Sequence, residues 1–448
     1  MKSHFIPFSL CLILGVWASS GAGGRLRADP GTSYTHFYAA PASGTAGNGV
    51  LSVDVHFYLW IPKVRTLRGV IVHQHGCGNG AELGGVTAAQ DLHWRALAEK
   101  WNCALLGSSY RAGDGRDCAL WCDPRNGSDA AFQRALADLA DESGHAELTR
   151  VPWCLWGHSG GGIWSNLMLL LHPDRVVAAW LRSGTVSGAP VERWHPPERT
   201  PAALQVPVMA NPGEKEKNHE RFHGAWAGSM RMMEDWNAQA GWVGVAVDPK
   251  TAHECGDSRY LAIRFFDACL KQRLPSKLGS PLRRMNSSIG RLGNAQTREI
   301  SRMPPSGAAI PHLSRLPDAE FARAWSEFIE FGYIRDTTAP SPPERVRVER
   351  SPTGGMELRW SAVADLESGL GGFEIERNGV VSATLPQKPN SKYGRPLIQG
   401  MTYHDTPADP VTEFHWPISD EDARSARFRI RSLNTSGLRS RPVLVTGL

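Results

Sequence analysis

Ser159 lies in the segment whose residue types most clearly predict chemistry. It is the centre of Gly157–Gly161, which reads Gly-His-Ser-Gly-Gly and follows a short apolar run. A serine hydroxyl is a poor nucleophile at neutral pH, so it needs a base beside it and a tight backbone turn that exposes its Oγ atom. Glycines would relieve such a turn sterically. The pattern therefore predicts a nucleophilic serine, although a chain with 46 glycines can also produce Gly-x-Ser-x-Gly by chance.

The elements around Ser159 alternate between apolar strands and amphipathic helices. Ser159 follows one of these strands and precedes apolar residues at helical spacing, which places it at a strand-to-helix junction. This alternation predicts an α/β fold: a doubly wound, mostly parallel sheet with helices on both faces. The predicted strands are Leu51–Ile61, Gly69–His73, Cys103–Gly107, Trp153–Trp156, Val176–Leu181, Val206–Ala210 and Trp242–Val247.

Across roughly residues 45–275 the chain resembles the α/β-hydrolase family. It has the serine turn, a His-Gly loop after an early strand, an acidic loop after a later strand and a late histidine. The family orders its catalytic residues as nucleophile, acid and histidine. His253, in a loop after the last predicted strand, takes the histidine position. The resemblance also implies two backbone donors for an oxyanion hole, the N–H groups of Gly160 and Cys77.

The acid is the most open member of this set. The strand that ends at Ala210 runs into a loop with Glu216 three residues after a glycine, where the family more often has aspartate. Glutamate is chemically adequate because its longer arm can still accept the imidazole N–H. We therefore predict Glu216 as the orienting acid, with Glu214 and Asp248 as alternatives. Any of the three could instead be a solvated loop charge.

Substrate and metal contacts are less clear from the sequence. His158 and Trp226 are candidate substrate contacts, although Trp226 could equally belong to a helix that packs on the sheet. His73 and His75 form a His-x-His pair, a pattern also found in metal sites, but no Asp-His follows at metallohydrolase spacing. We therefore expect neither a metal nor another cofactor.

Composition and the N-terminus bear on cellular context. The 448 residues carry a net charge of only +5 without a long basic run, which argues against a nucleic-acid partner. Residues 1–24 show a Lys, an apolar stretch and small residues, the pattern of a secretory signal peptide, and no other segment could span a membrane. We expect a secreted or periplasmic protein. Seven cysteines then remain, and Cys118 and Cys122 could close a small loop, although pairing stays open.

The chain divides into four predicted segments: a signal peptide (1–24), a hydrolase domain (30–275), a connecting segment with a helix from Asp318 to Phe331 (276–337) and a C-terminal domain (338–448). A Pro-rich stretch introduces the last segment, and short β-like runs follow at Val346–Val348, Met356–Trp360, Phe373–Arg377 and Phe428–Leu433. With Leu-Arg-Trp at 358–360, Phe-Glu-Ile-Glu-Arg-Asn-Gly at 373–379 and Leu-Asn-Thr-Ser-Gly-Leu at 433–438, it resembles a fibronectin type III-like β-sandwich.

Together these features predict a serine-dependent hydrolase of carboxylic esters that forms an acyl-enzyme on Ser159. The His-Gly-Cys loop is similar to that of feruloyl-esterase and polyhydroxyalkanoate-depolymerase relatives, so the substrate could be a small-molecule, carbohydrate or polymer ester. The C-terminal domain could contact a polysaccharide surface. Two alternatives stay open: a serine peptidase of the same fold, and a non-catalytic polysaccharide-binding or adhesive protein on a hydrolase scaffold.

Overall fold

The structure, a computed structural model, describes residues 31–41, 49–78, 84–113, 117–187, 194–304, 308–389 and 392–445. The predicted signal peptide, residues 1–24, lies outside these residues. Within them, every helix is too short or too polar to cross a membrane.

An eight-stranded sheet forms the centre of the chain, in the order β1-β2-β4-β3-β5-β6-β7-β8. The β1, β2 and β4 strands pair antiparallel, and every pairing from β4 to β8 is parallel. The predicted α/β fold with a mostly parallel sheet is therefore confirmed. The strands are β1 Gly31–Tyr38, β2 Val55–Pro62, β3 Gly69–Gln74, β4 Cys103–Tyr110, β5 Trp153–His158, β6 Val176–Arg182, β7 Val208–Asn211 and β8 Val243–Val245.

The edge strand β1 is the one strand of this sheet that the sequence did not predict. Most of its residues are exposed or half-buried, so it lacks the apolar run of an inner strand. The strands β3 to β8 are buried on both faces, which is why their sequences are continuous apolar runs. Strands β3 to β8 were recognisable in the sequence because both of their faces are buried. Strand β1 was not, because most of its residues are exposed or half-buried.

Helices cover both faces of the sheet and create two separate cores. Alternating residues of β3 show the division, since Val70 and Val72 belong to one core and Ile71 to the other. The helices of this domain are α1 Gly84–Ala88, α2 Leu92–Trp101, α3 Ala119–Cys122, α4 Ser128–Ser143, α5 Gly160–Leu171, α6 Pro201–Leu204, α7 His223–Asn237 and α8 Arg259–Arg273.

The connecting segment packs on the edge strand β8. It contains a small antiparallel sheet, β9 Arg291–Gly293, β10 Ile300–Arg302 and β11 Ser314–Leu316, followed by helix α9 Ala319–Phe331. The predicted helix is confirmed, with Asp318 as its N-cap. Trp325 of α9 donates its indole N–H to the carbonyl of Val245 at 2.8 Å, and Ser314 Oγ accepts the N–H of the same residue. This segment therefore extends the α/β domain beyond its last parallel strand.

The C-terminal domain has two antiparallel sheets, β12-β13-β16 and β15-β14-β17-β18, packed around Trp360, Phe373 and Ile375. All four predicted β-like runs lie inside its strands. Because the inner faces of both sheets contribute to one core, the domain is an all-β unit of two layers. Its elements are β12 Glu344–Arg350, β13 Met356–Ser361, β14 Leu370–Arg377, β15 Val380–Leu385, β16 Glu413–Ile418, α10 Asp420–Ser425, β17 Phe428–Asn434 and β18 Val443–Leu444.

A buried group of three charges joins the two domains. Arg259, at the start of α8, contacts Asp91, the N-cap of α2, at 2.5 Å. The same guanidinium contacts Asp405, from the connection between β15 and β16, at 2.7 Å. All three side chains are buried. Charges taken out of water in this way require good mutual geometry, so the interface fixes how the C-terminal domain sits on the α/β domain.

We expect Asp405→Ala to lower the free energy of unfolding by about 3–5 kcal/mol, because it leaves the buried guanidinium of Arg259 with one carboxylate instead of two. Urea unfolding of the full chain measures the change. Asp409→Ala, which removes an exposed carboxylate from the same connection, is the matched control. Equal stability of the two variants would contradict a structural role for this ion pair.

Candidate active site

Ser159 occupies a strained turn between β5 and α5. Its backbone has φ 54° and ψ −120°, a conformation that residues with a side chain rarely adopt. The N–H of Ser159 donates to the carbonyl of Arg182 on β6 at 2.8 Å, which holds the turn against the sheet. A side chain at Gly160 would meet the sulfur of Cys77 at 2.2 Å, so this position requires glycine. The turn thus presents the serine hydroxyl at the carboxyl edge of the sheet.

The structure brings Ser159, His253 and Glu216 together in one hydrogen-bonded chain. Ser159 Oγ lies 2.9 Å from His253 Nε2, and His253 Nδ1 lies 2.5 Å from Glu216 Oε1. A carboxylate only accepts, so His253 donates from Nδ1 and keeps Nε2 free to accept the serine proton. This is the arrangement that a serine nucleophile requires: a base within reach and an acid that fixes its tautomer.

Glu216 comes from a short 3-10 turn that follows β7. Its Oε2 atom accepts the N–H of Gly213 at 3.0 Å and the hydroxyl of Ser183 at 3.1 Å, so both carboxylate oxygens are used. Of the two alternatives, Glu214 is exposed, and Asp248 accepts the backbone N–H of Lys250. The position three residues after the glycine is therefore the one that meets the histidine.

A residue that the sequence analysis did not single out, Arg182, holds the His253 loop. Arg182, buried at the end of β6, donates to the hydroxyl of Thr251 and to the carbonyls of Ala252 and Glu254, on either side of the histidine. Its run of valine, alanine and leucine neighbours indicated only a buried strand. Hydrogen bonds from this buried guanidinium to loop carbonyls fix the backbone that carries the imidazole.

Phe222 covers the imidazole of His253. The two rings are parallel within 4° and their centroids are 3.8 Å apart. Burial lowers the pKa of His253 below its ordinary value of 6.5, against the opposing effect of the Glu216 carboxylate. No motif marked Phe222, because the contact depends on how the loop before α7 folds back over the histidine.

The predicted oxyanion donors lie beside the nucleophile. Gly160 is the first residue of α5, where helix N–H groups have no acceptor within the helix. A side chain at Gly76 would come within 3.0 Å of Ser159 Cβ, which places the Gly76–Cys77 turn against the serine. Cys77 forms a disulfide with Cys118, so the suggested Cys118–Cys122 loop is wrong. This disulfide ties the turn to the segment before α3.

The two predicted substrate contacts, His158 and Trp226, have different outcomes. His158 is fully buried: its Nε2 atom donates to the carbonyl of His253 at 2.7 Å. The prediction of His158 as a substrate contact is therefore wrong, because side chains alternate across β5 and this one points into the protein. Trp226 is half-buried on α7, with the ammonium of Lys217 5.9 Å from its ring.

His73 and His75 have other partners in this structure. His73 stacks on Trp156 with centroids 3.9 Å apart, and His75 Nε2 donates to the carbonyl of Ser108 at 2.8 Å. Among the described residues, the group of three potential ligands close enough for a metal is made of cysteines, two of them the disulfide pair. The histidine pair therefore belongs to the packing beneath the active site.

A cavity of about 1120 Å³ lies away from the serine. It is lined by residues that come directly before parallel strands, including Arg68, Asn102, Pro152 and Arg175. These mark the amino ends of the strands, whereas Ser159, Glu216 and His253 lie at the carboxyl ends. Ligands of open α/β sheets bind at the carboxyl ends, so this cavity is not the candidate active site.

Comparison with known proteins finds distant structural similarity to several solved structures. No family model and no curated protein matches the chain. A thermostable esterase is similar at 14% identity over 49% of this chain and 54% of its own, with a TM-score of 0.31. An S-formylglutathione hydrolase from Agrobacterium tumefaciens is 15% identical over 55% of this chain and 95% of its own, with a TM-score of 0.35. A ferulic acid esterase is 14% identical over 55% of this chain and 98% of its own, with a TM-score of 0.34. The chain thus spans about half the length of the first. At these TM-scores the likenesses carry no argument, so function rests on the site itself.

We expect Phe222→Ala to raise the pKa of His253 toward 6.5, because water would reach the ring face that Phe222 covers. A lowered pKa keeps the imidazole neutral, and able to act as a base, to pH values below 6.5. In the variant the protonated form would therefore appear at higher pH. NMR titration of the imidazole measures this shift, with Phe331→Ala, at an exposed phenylalanine of α9, as the control. An unchanged titration would show that the stacking does not shield His253.

Proposed function

We propose that this protein is a serine hydrolase of carboxylic esters. The observation that carries the proposal is the chain of hydrogen bonds from Ser159 Oγ to His253 and from His253 to Glu216, at 2.9 and 2.5 Å. It is supported by the strained backbone of the serine and by the position of all three residues at the carboxyl edge of the sheet. Every group that this chemistry requires comes from side chains and backbone, without a cofactor.

In the proposed reaction Ser159 Oγ attacks the ester carbonyl carbon while its proton passes to His253 Nε2. The N–H groups of Gly160 and Cys77 would stabilise the resulting oxyanion. His253 then donates its proton to the leaving alcohol, the ester C–O bond breaks and an acyl-serine remains. A water molecule, deprotonated by His253, attacks the acyl group, releases the acid and returns the serine hydroxyl. Glu216 stabilises the imidazolium that forms in each half of the reaction.

We further propose that the C-terminal domain is a fibronectin type III-like module and that the protein is exported. The two-layer arrangement, with three strands in one sheet and four in the other, supports the module assignment. The signal-peptide pattern of residues 1–24 and the Cys77–Cys118 disulfide support export into an oxidising compartment. A polymer ester as substrate, and a polysaccharide surface as partner of this module, stay proposals from the sequence.

Ser159→Ala should lower kcat on p-nitrophenyl esters by roughly 10⁶-fold and abolish labelling by a fluorophosphonate probe. The reason is that the proposed site has no other nucleophile to take up the acyl or phosphonyl group. The assay pairs each ester with its p-nitroanilide, which also distinguishes an esterase from a peptidase. Ser165→Ala, at a buried serine of α5, is the matched control. Probe labelling and ester hydrolysis that survive in Ser159→Ala would overturn the proposal.

Glu216→Gln should lower kcat about 10⁴-fold, because an amide at this position no longer selects the tautomer with Nε2 free to accept. Glu214→Gln and Asp248→Asn, the two alternatives, serve as comparisons in the same assay. We expect Glu214→Gln to match the unmodified protein, since that carboxylate is exposed. A larger loss in Asp248→Asn than in Glu216→Gln would assign the acid to Asp248.

A further inference from the structure

Residues of the C-terminal domain reach the histidine loop of the α/β domain. The connection between β15 and β16 places Tyr403, whose carbonyl accepts the N–H of Cys255 at 3.2 Å. The same connection places Arg395, whose N–H donates to Asp257 at 2.6 Å. The residues contacted in the α/β domain, Cys255 and Asp257, lie within four residues of His253. The loop that carries the proposed base is therefore packed directly against the second domain.

His404 of this connection touches the residue before the nucleophile. Its Nδ1 atom lies 3.0 Å from Nδ1 of His158, and the ring centroids are 5.1 Å apart. On its other side His158 reaches the backbone carbonyl of His253 through Nε2, at 2.7 Å. Two imidazoles, separated by 246 residues of sequence, thus connect the C-terminal domain to the backbone of the proposed base.

The positions of the protons on His158 and His404 follow from the carbonyl that His158 contacts. A carbonyl oxygen only accepts, so His158 must donate from Nε2. Burial lowers the pKa of His158 well below 6.5 and that of His404 to about 4, so both rings are neutral at neutral pH. A neutral imidazole with its proton on Nε2 accepts at Nδ1. His404 must therefore carry its proton on Nδ1 and donate it to His158.

We propose that His404 is a positioning residue for the active site: its Nδ1–H holds His158 in the Nε2–H tautomer, and His158 in turn holds the carbonyl of His253. This inference rests on the proposed function and extends it, because it assigns the C-terminal domain a part in catalysis. His404 does not touch the reacting atoms. It acts by fixing the carbonyl of His253, in a loop that Arg182 also holds through the carbonyls of Ala252 and Glu254.

Without the His404 donor, His158 is free to take the other tautomer, in which Nε2 would face the carbonyl of His253 as a second acceptor. Two acceptors at this distance repel, so the loop would shift and the distance between the imidazole and Ser159 would change. Small displacements of a catalytic group cost large factors in rate. The loss should appear in kcat, while KM should change little because no substrate contact is removed.

Asparagine and leucine at position 404 separate the hydrogen bond from simple packing. The side-chain N–H₂ of asparagine occupies about the position of Nδ1–H and can donate, whereas leucine fills similar space and cannot. We expect His404→Leu to lower kcat about 10- to 100-fold on p-nitrophenyl acetate and His404→Asn to recover most of that loss. His415→Leu, at an exposed histidine on β16, is the matched control. Equal kcat for the leucine variant and the unmodified protein, or equal losses for both variants, would overturn the proposal.

A measurement that does not depend on activity tests the same hydrogen bond. In the full-length protein with ¹⁵N-labelled histidine, we expect a through-bond coupling between Nδ1 of His404 and Nδ1 of His158, with the proton on His404. Its absence, or a proton on His158 Nδ1, would overturn the inference even if the leucine variant does not fold. A coupling observed in a protein that hydrolyses no ester and takes no probe would instead reject the proposed function.

Discussion

The hydrogen bond between His253 and Glu216 is the interaction on which the site depends. It selects the imidazole tautomer that faces Ser159, and it requires both partners to be held within a few tenths of an ångström. The surrounding structure meets that requirement from several sides. Glu216 is fixed through its second oxygen, and Arg182 fixes the backbone on either side of the histidine. Phe222 excludes water from one face of the ring.

Burying charged side chains around the site costs free energy, and the hydrogen bonds and ion pairs that each charge makes offset that cost. Arg182 and Arg259 are both buried cations at the carboxyl edge of the sheet; the first donates to carbonyl groups and the second pairs with two carboxylates. An unpaired charge in either place would cost several kcal/mol, so each arginine commits its neighbours to one geometry. The first fixes the histidine loop and the second fixes the domain interface. Both constraints act on residues close to the proposed base.

The C-terminal domain is consequently more than an appended module. Its connection from β15 to β16 contributes a buried carboxylate at Asp405, a carbonyl at Tyr403 and the imidazole of His404 to the region beneath the active site. The connecting segment before it packs on β8 and joins one of the two cores of the α/β domain. The position of the His253 loop therefore depends on contacts with residues far along the chain.

The sheet, the serine turn and the order of the proposed catalytic residues could all be predicted from the amino-acid sequence alone. Inner strands bury both faces and are recognisable as apolar runs, and a tight turn needs its glycines in adjacent positions. The choice among Glu214, Glu216 and Asp248 was decided by tertiary structure, because three nearby acids differ only in where the loop directs them. The partners of His158 and the roles of Arg182 and His404 were also decided there. Each depends on contacts between segments distant in sequence, and no local pattern records which buried groups will meet.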